Sequence, residues 1–333
     1  MKVLHISPHY GGGVGTVVMG WVGGDKGNTH TVLSLDTLNE KVGSFLVKNK
    51  IGLGWEMIRS LDTVDQLIEG SDVVVIHLWD HPMLQAFLKR PLPASRLALW
   101  AHKNFPLGSE PSYADRFVVT SPVVGGGKYQ MIWSTGGVDR FLKIVNKPHE
   151  GINVGYVGTV DWKKLHGEFV SMVHEIASAV PDIHFTVVGE NNIANQPDSF
   201  FNGSITFTGK VDDVAPYLEG MDIFGYPLRH DHYGTCEQVL GEAMAAGIPP
   251  VVMDNLPERY IVSDGWDGFI ARNEKEYVHR VQYLAAHKEV RLKMGARARE
   301  RAAKLYSLDY MIQAWSTTFE EMMDSPKKER DAI

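Results

Sequence analysis

Apolar residues in this chain fall in short blocks bounded by turn formers, and between the blocks they recur at helical spacing. Lys2–Ser7, Thr31–Leu35, Val73–His77, Arg96–Trp100 and Arg116–Thr120 read as buried strands. Ile152–Val157, Pro181–Gly189, Ser204–Gly209, Ile223–Tyr226 and Val251–Asp254 continue the pattern in the second half. Continuous apolar strands alternating with helices specify α/β structure, a parallel sheet with helices on both faces. At Asn146–Gly151 charged and turn residues replace the apolar periodicity, and Gly136, Gly137 and Pro148 lie nearby, so the segment reads as a linker. The expected organisation is a first domain over 1–148, a second over 149–306, and over 307–333 a final helix, able to cross back to the first domain, with a tail. In that helix Met311, Trp315, Phe319 and Met322 recur at helical spacing as a packing stripe, while Lys275–Lys304 carries mixed charges, as a solvated helical face does.

The most informative stretch is Met221–Asp254, read as strand, loop, helix and strand. Thr235 is placed to cap a helix running through Ala246, which Gly247 and two prolines stop. The start of that helix, Thr235, Cys236, Glu237 and Gln238, offers backbone N–H groups and partial positive charge to an anion such as a diphosphate. Acidic residues there equally complement the helix dipole, and both readings stand. A cysteine in such a first turn has its thiolate favoured. Lys163 and Lys164, in the turn after Ile152–Val157, can bind phosphate or form a solvated basic turn. The glycine-rich turn Pro8–Gly15 precedes a helix expected from Thr16, and Gly12 and Gly13 allow close approach of a ligand. It lacks a complete G-x-G-x-x-G, and Asp36 is the nearest ribose partner, which leaves a nicotinamide oxidoreductase as a minor alternative. His77 and His102 arrive at strand ends, where parallel sheets gather ligands.

Composition narrows the function classes. The net charge of −7 argues against a surface built for nucleic acid, and no apolar run reaches the ~18 residues of a membrane span. The single cysteine cannot form an internal disulfide, and the opening MKVLHISPHY reads as a strand and turn rather than a secretory signal, so a cytoplasmic location is expected. His230, Asp231 and His232 form the one metal-like cluster. Adjacent loop histidines are usually solvent-facing, and metal binding is not expected.

Taken in order, GGGVG at Gly11–Gly15, WAHKN at Trp100–Asn104, STGGVD at Ser134–Asp139, YVGT at Tyr156–Thr159 and above all GEAMAAGIPPVV at Gly241–Val252 resemble the retaining glycosyltransferases of family 4. The resemblance implies the GT-B fold, two Rossmann-like domains whose parallel sheets face across a cleft. It also implies transfer of a sugar from a nucleotide-diphosphate sugar with retention of configuration, without metal or other cofactor. Glu242 matches the second glutamate of the family's Glu-x7-Glu motif, which binds the nucleotide ribose. The first glutamate is replaced by Gly234, with Glu237 as the nearby substitute toward the donor sugar. Thr159 stands where many relatives have a phosphate-binding arginine, and Lys163 or Lys164 matches the lysine that follows. His102 resembles the histidine that contacts the donor sugar near the scissile bond, and Gly12 and Gly13 line the same cleft. The acceptor, a carbohydrate, lipid-linked or small molecule, falls to the first domain, near Gly11–Gly15 and Trp79–Pro82. A nucleotide-sugar epimerase of the same architecture and a catalytically silent nucleotide-sugar-binding protein are the alternatives.

Overall fold

The computed structural model describes residues 1–36, 40–49, 51–54, 60–103, 108–190, 192, 204–232 and 234–332. Asn104 of the WAHKN segment lies outside them. The chain forms two compact units, Met1–Gly137 with Leu308–Ile333, and Val138–Ser307.

The first unit is built on strands β1 (Lys2–Ser7), β2 (Thr29–Ser34), β3 (Gly52–Gly54), β4 (Val73–Leu78), β6 (Leu97–Ala101), β7 (Arg116–Val119) and β8 (Gln130–Met131). They form a parallel sheet in the order β3-β2-β1-β4-β6-β7-β8. The order reverses between β1 and β4, and in doubly wound sheets ligands bind at the carboxyl ends of the strands flanking such a reversal. A small antiparallel pair, β5 (Leu92–Ser95) with β15 (Lys328–Arg330), fastens the end of the chain to this unit.

Alternation along β1 sends Leu4 and Ile6 to one face, where they pack with Leu33, Ile76 and Leu99, and Val3 to the other, where it packs with Trp21, Trp100 and Trp315. That second face is covered by the Gly12–Gly24 and Leu308–Met323 helices, and Met311, Trp315, Phe319 and Met322 form its buried stripe. Trp315 lies 4.9 Å from Trp21 and 5.1 Å from Trp100, ring centre to ring centre. The first helix begins at Gly12, four residues before the expected start. It lies so close to the 134–137 segment that a Cβ at Gly20 would meet the Gly136 carbonyl oxygen at 2.6 Å. Gly20 is therefore a packing requirement of the first unit, and so is Gly136, where a Cβ would meet the Thr16 carbonyl oxygen at 2.9 Å.

The second unit carries β9 (Ile152–Val157), β10 (Ile183–Val188), β11 (Ile205–Gly209), β12 (Ile223–Tyr226), β13 (Pro250–Met253) and β14 (Phe269–Ala271), parallel in the order β11-β10-β9-β12-β13-β14. Here the order reverses between β9 and β12. The units divide after Gly137, ahead of the expected boundary at 148. Residues before Pro148 already have partners in the second unit. Arg140 pairs with Asp213, the Asn146 amide donates to the Met221 carbonyl at 2.7 Å, and the Lys147 N–H donates to the Glu219 carbonyl at 2.7 Å. Loss of apolar periodicity there marks a segment held by polar contacts, which sequence patterning does not separate from a linker.

Truncating the largest side chain of the carboxyl-terminal stripe tests its part in the first unit. Trp315→Ala is expected to cost about 3–5 kcal/mol, the range for large aromatic deletions from a core. Chemical denaturation of the variant followed by circular dichroism measures it, and a loss under 1 kcal/mol would place Trp315 outside the core.

Candidate functional site

At the β9/β12 reversal, one buried carboxylate organises the surroundings. Tyr226 ends β12, and the following loop returns through Glu237 into the Gln238–Ala245 helix. Glu237 holds left-handed backbone angles, φ 35° and ψ 63°, a conformation costing a non-glycine residue on the order of 1–3 kcal/mol. The Tyr306 hydroxyl donates to the carbonyls of Cys236 at 2.6 Å and Glu237 at 3.2 Å, while the first helical bonds come to the Glu237 carbonyl from the N–H groups of Leu240 and Gly241. The Glu237 carboxylate receives the Tyr226 hydroxyl in a short hydrogen bond and the Lys164 ammonium at 3.0 Å. Lys164 also donates to the Tyr226 hydroxyl oxygen at 2.8 Å. Its position is fixed by the β9 turn, where Asp161 Oδ1 accepts from the backbone N–H groups of Lys163 and Lys164. Further back, His232 Nδ1 lies 3.8 Å from Glu237, and His232 Nε2 lies 3.2 Å from Glu258, whose side chain is wholly buried.

Burial works against ionisation of Glu237, but Lys164, His232 and the Tyr226 hydroxyl outweigh it and hold the carboxyl below its ordinary range. Glu258 moves the other way, raised by burial despite His232. The result is a charge-paired outer carboxylate backed by a carboxyl whose charged form burial disfavours.

Glu237 also explains Gly234. A Cβ placed on residue 234 would stand 1.4 Å from Glu237 Oε1, so the space that a side chain at 234 would enter is filled by a carboxylate delivered from three residues further along. Glu242 lies one turn into the helix and is buried, with Gln238 a turn before it. The helix itself starts at Gln238, later than expected, because Tyr306 takes the preceding carbonyls and Glu237 turns left-handed. Thr235 and Cys236 are therefore loop residues, and the argument for a helix-stabilised thiolate at Cys236 does not apply. Lys163 is exposed, whereas Lys164 is drawn inward. His230 and Asp231 face solvent, but the His232 side chain is buried, against the expectation for that cluster. Glu258 was not legible beforehand, because a lone glutamate in the short Leu256–Ile261 helix carries no periodic signal. At the carboxyl ends of β12 to β14 a pocket of about 200 Å³ is lined by His166, His230, Asp254, Asn255 and Arg272 among others.

In the first unit, the carboxyl edge at the β1/β4 reversal gathers His9, Trp79, His81 and His102. His9 lies 5.5 Å from Trp79 and 5.5 Å from His81, and Trp79 lies 6.3 Å from His102. His77 Nδ1 is 3.0 Å from His102 Nε2, and burial pushes His102 down to about 3, so its imidazole is neutral. Beside them a groove of about 390 Å³ is lined by Leu78, Trp79, Asp80, Ser109 and Glu110 among others. Gly12 and Gly13 are exposed in the first turn of their helix. Gly12 has φ 60°, which favours glycine, whereas a Cβ on Gly13 would meet nothing.

Residues 151–287 match the family model described as Glycosyl transferases group 1. The lipopolysaccharide core biosynthesis glycosyltransferase LpsE of Rhizobium meliloti (strain 1021) is 20% identical over 148 residues, 42% of this chain and 43% of that protein, so the chain spans less than half the length of this curated relative. Among solved structures, Anabaena HepE in complex with UDP is similar with a TM-score of 0.77 and 13% identity, covering 96% of this chain and 100% of that one. A glycosyltransferase from Rickettsia africae ESF-5 follows with 0.76 and 13%, over 97% and 99%. The fold is GT-B, α/β with two Rossmann-like domains.

Two substitutions test the carboxylate cluster. Gly234→Ala forces its new methyl group into the Glu237 carboxylate and is expected to lose about 1–3 kcal/mol in urea unfolding, the cost of overpacking a filled site. A neutral change would mean that the carboxylate lies elsewhere. For Glu258, a carboxyl raised in the folded state contributes stability that is fully present below its unfolded value near 4.5 and is lost as pH rises through the folded value. Glu258→Gln should therefore gain thermal stability relative to the parent on going from pH 4 to pH 8, and a parallel pair of melting curves would contradict the raised carboxyl.

Proposed function

We propose that this protein is a retaining, metal-independent glycosyltransferase that moves a sugar, a hexose in the first instance, from a nucleotide diphosphate to an acceptor hydroxyl. The observation that carries the reading is the Lys164–Glu237 pair beside the start of the Gln238–Ala245 helix, at the β9/β12 reversal within the stretch that matches the glycosyltransferase model. The retaining assignment follows the family 4 resemblance.

In this reading Glu242 holds the ribose, Lys164 and the helix start bear the diphosphate charge, and Glu237 orients the donor sugar. A diphosphate entering near Lys164 meets a cation already paired, so the carboxylate can turn from the ammonium toward sugar hydroxyls as phosphate takes its place. No protein nucleophile is required. The leaving diphosphate accepts the acceptor proton, and the protein's work is orientation and stabilisation of developing phosphate charge. His102, neutral, serves as a hydrogen-bonding contact to the sugar, and the acceptor enters near Trp79. The UDP complex of HepE makes a uridine nucleotide the first donor to test. Among the described residues no helix is long and apolar enough to cross a membrane, and we place the reaction in the cytoplasm.

A silent binding protein is the second reading, favoured by Thr159, whose carbonyl accepts from the Tyr156 hydroxyl at 2.9 Å and whose side chain supplies no cation.

Thermal-shift measurements with UDP, GDP and ADP, each with and without a sugar, test binding, because a ligand of the folded form raises its melting temperature. A shift with one base is expected, and Glu242→Ala should weaken it by about tenfold, or about 1.4 kcal/mol. No shift from any of them sinks the proposal. With the shifting donor, release of nucleotide diphosphate in the presence of mixed acceptors or water supports transfer, whereas binding without release selects the silent reading. His102→Gln should lower turnover while leaving nucleotide affinity within about twofold, separating contact at the reacting sugar from ground-state nucleotide binding.

A further inference from the structure

Four histidines cross the first sheet in one hydrogen-bonded line that starts at a carboxylate. Asp25 Oδ2 is 3.0 Å from His30 Nε2, His30 Nδ1 is 2.9 Å from His5 Nε2, His5 Nδ1 is 3.1 Å from His77 Nε2, and His77 Nδ1 is 3.0 Å from His102 Nε2. The register explains the line. His30 pairs with Val3, Ile6 with Ile76, and His77 with Trp100, so each histidine stands two residues nearer the carboxyl edge than the one on the preceding strand. A stagger of two keeps every ring on the same face of the sheet. Trp21, 4.8 Å from His5, and Trp100, 4.6 Å from His102, pack against the row.

Every step joins an Nε2 to an Nδ1, which gives the row a direction. A neutral imidazole has one N–H and one accepting nitrogen, and a carboxylate only accepts. His30 must therefore carry its proton on Nε2 to donate to Asp25, which leaves His30 Nδ1 to accept from His5 Nε2–H, and so on along the row. Burial lowers the proton affinity of all four rings, most strongly at His5 and His77, so each stays singly protonated. Asp25 is itself held ionised. Burial opposes this, but the Asn28 amide, the Gly27 N–H and His30 outweigh it.

We propose that Asp25 is a positioning residue that acts through His30, His5 and His77 to fix His102 as the Nε2–H tautomer, with Nδ1 as a hydrogen-bond acceptor. A neutral accepting nitrogen takes a donor group and gives nothing to an anion, so Asp25 sets which kind of group His102 Nδ1 can meet. The role in transfer rests on the proposed function; the direction of the row does not.

Asp25→Asn makes a specific prediction. Asp25 Oδ1 accepts the backbone N–H groups of Gly27 at 2.8 Å and Asn28 at 3.2 Å, so the amide oxygen of the variant is held there and its NH2 group faces His30, with the Asn28 amide turning over to accept and giving up the Met1 ammonium that its Oδ1 holds at 3.2 Å. A donor in place of the carboxylate reverses every bond, and His102 becomes Nδ1–H. Long-range proton–nitrogen correlation spectra of protein labelled with nitrogen-15 histidine distinguish the two tautomers, with signals assigned by single His→Gln variants. The expected result is Nε2–H at His5, His30, His77 and His102 in the parent and Nδ1–H at all four in Asp25→Asn, together with a fall in turnover of about tenfold and donor KM within about twofold. Asn28→Ala, which leaves the carboxylate in place, should keep the parental tautomers. An Nδ1–H signal from any of the four parental rings overturns the proposal, and this holds even where the variant does not fold. Unchanged tautomers or unchanged turnover in folded Asp25→Asn also overturn it. If no nucleotide sugar is a donor, the transferase reading fails and the spectra still decide the row.

Discussion

Keeping one carboxylate charged inside the protein is the constraint on which the second unit's site depends. Glu237 is buried, and an unpaired buried charge costs several kcal/mol, so its neighbours are arranged to compensate it. Lys164 is pulled in from the β9 turn, Tyr226 turns its hydroxyl from the end of β12, and Tyr306 ties the carbonyls of Cys236 and Glu237. The left-handed backbone at Glu237 and the missing side chain at Gly234 belong to the same arrangement, because the first aims the carboxylate inward and the second leaves room for it. A buried pair of this kind is weak evidence for stability and fits better as preorganisation. The strain is placed where two strand ends diverge, where α/β folds bind ligands.

The first unit solves a different problem with a similar economy of charge. Three polar rings, His5, His30 and His77, are buried beneath a tryptophan-rich helical layer with the half-buried His102 after them, and each satisfies its neighbour, so the row needs one charged group, Asp25, at its end. A partly satisfied row would cost more than an apolar core, whereas a fully bonded one specifies both ring orientation and proton position. In both units the catalytic proposal rests on groups whose protonation is fixed before any ligand arrives.

The fold was legible because it depends on pattern. Strand blocks and the packing stripe of Met311, Trp315, Phe319 and Met322 follow from burial periodicity, which survives in a single sequence. Motif order singled out Glu242 and Lys164, and the structure buries the first in its helix and draws the second inward from the β9 turn. His232 and Glu258 were not legible, since a buried histidine in a loop and an exposed one read alike, and the His230-Asp231-His232 run divides between the two environments. The helix start was misplaced for a local reason as well. Thr235 is a good capping residue, but the Tyr306 hydroxyl, remote in sequence, settles where the helix begins.

The sequence by itself determined two α/β halves, the strands that carry the sites and the residues at their carboxyl ends, because hydrophobic spacing and turn chemistry act over short distances along the chain. Only the tertiary structure decided that Glu237 fills the space beside Gly234, that Lys164 is the inward lysine of the pair, and that Asp25, His30, His5, His77 and His102 form one directed row. Those facts depend on strand register and on the approach of residues far apart in the chain, and no local preference encodes either.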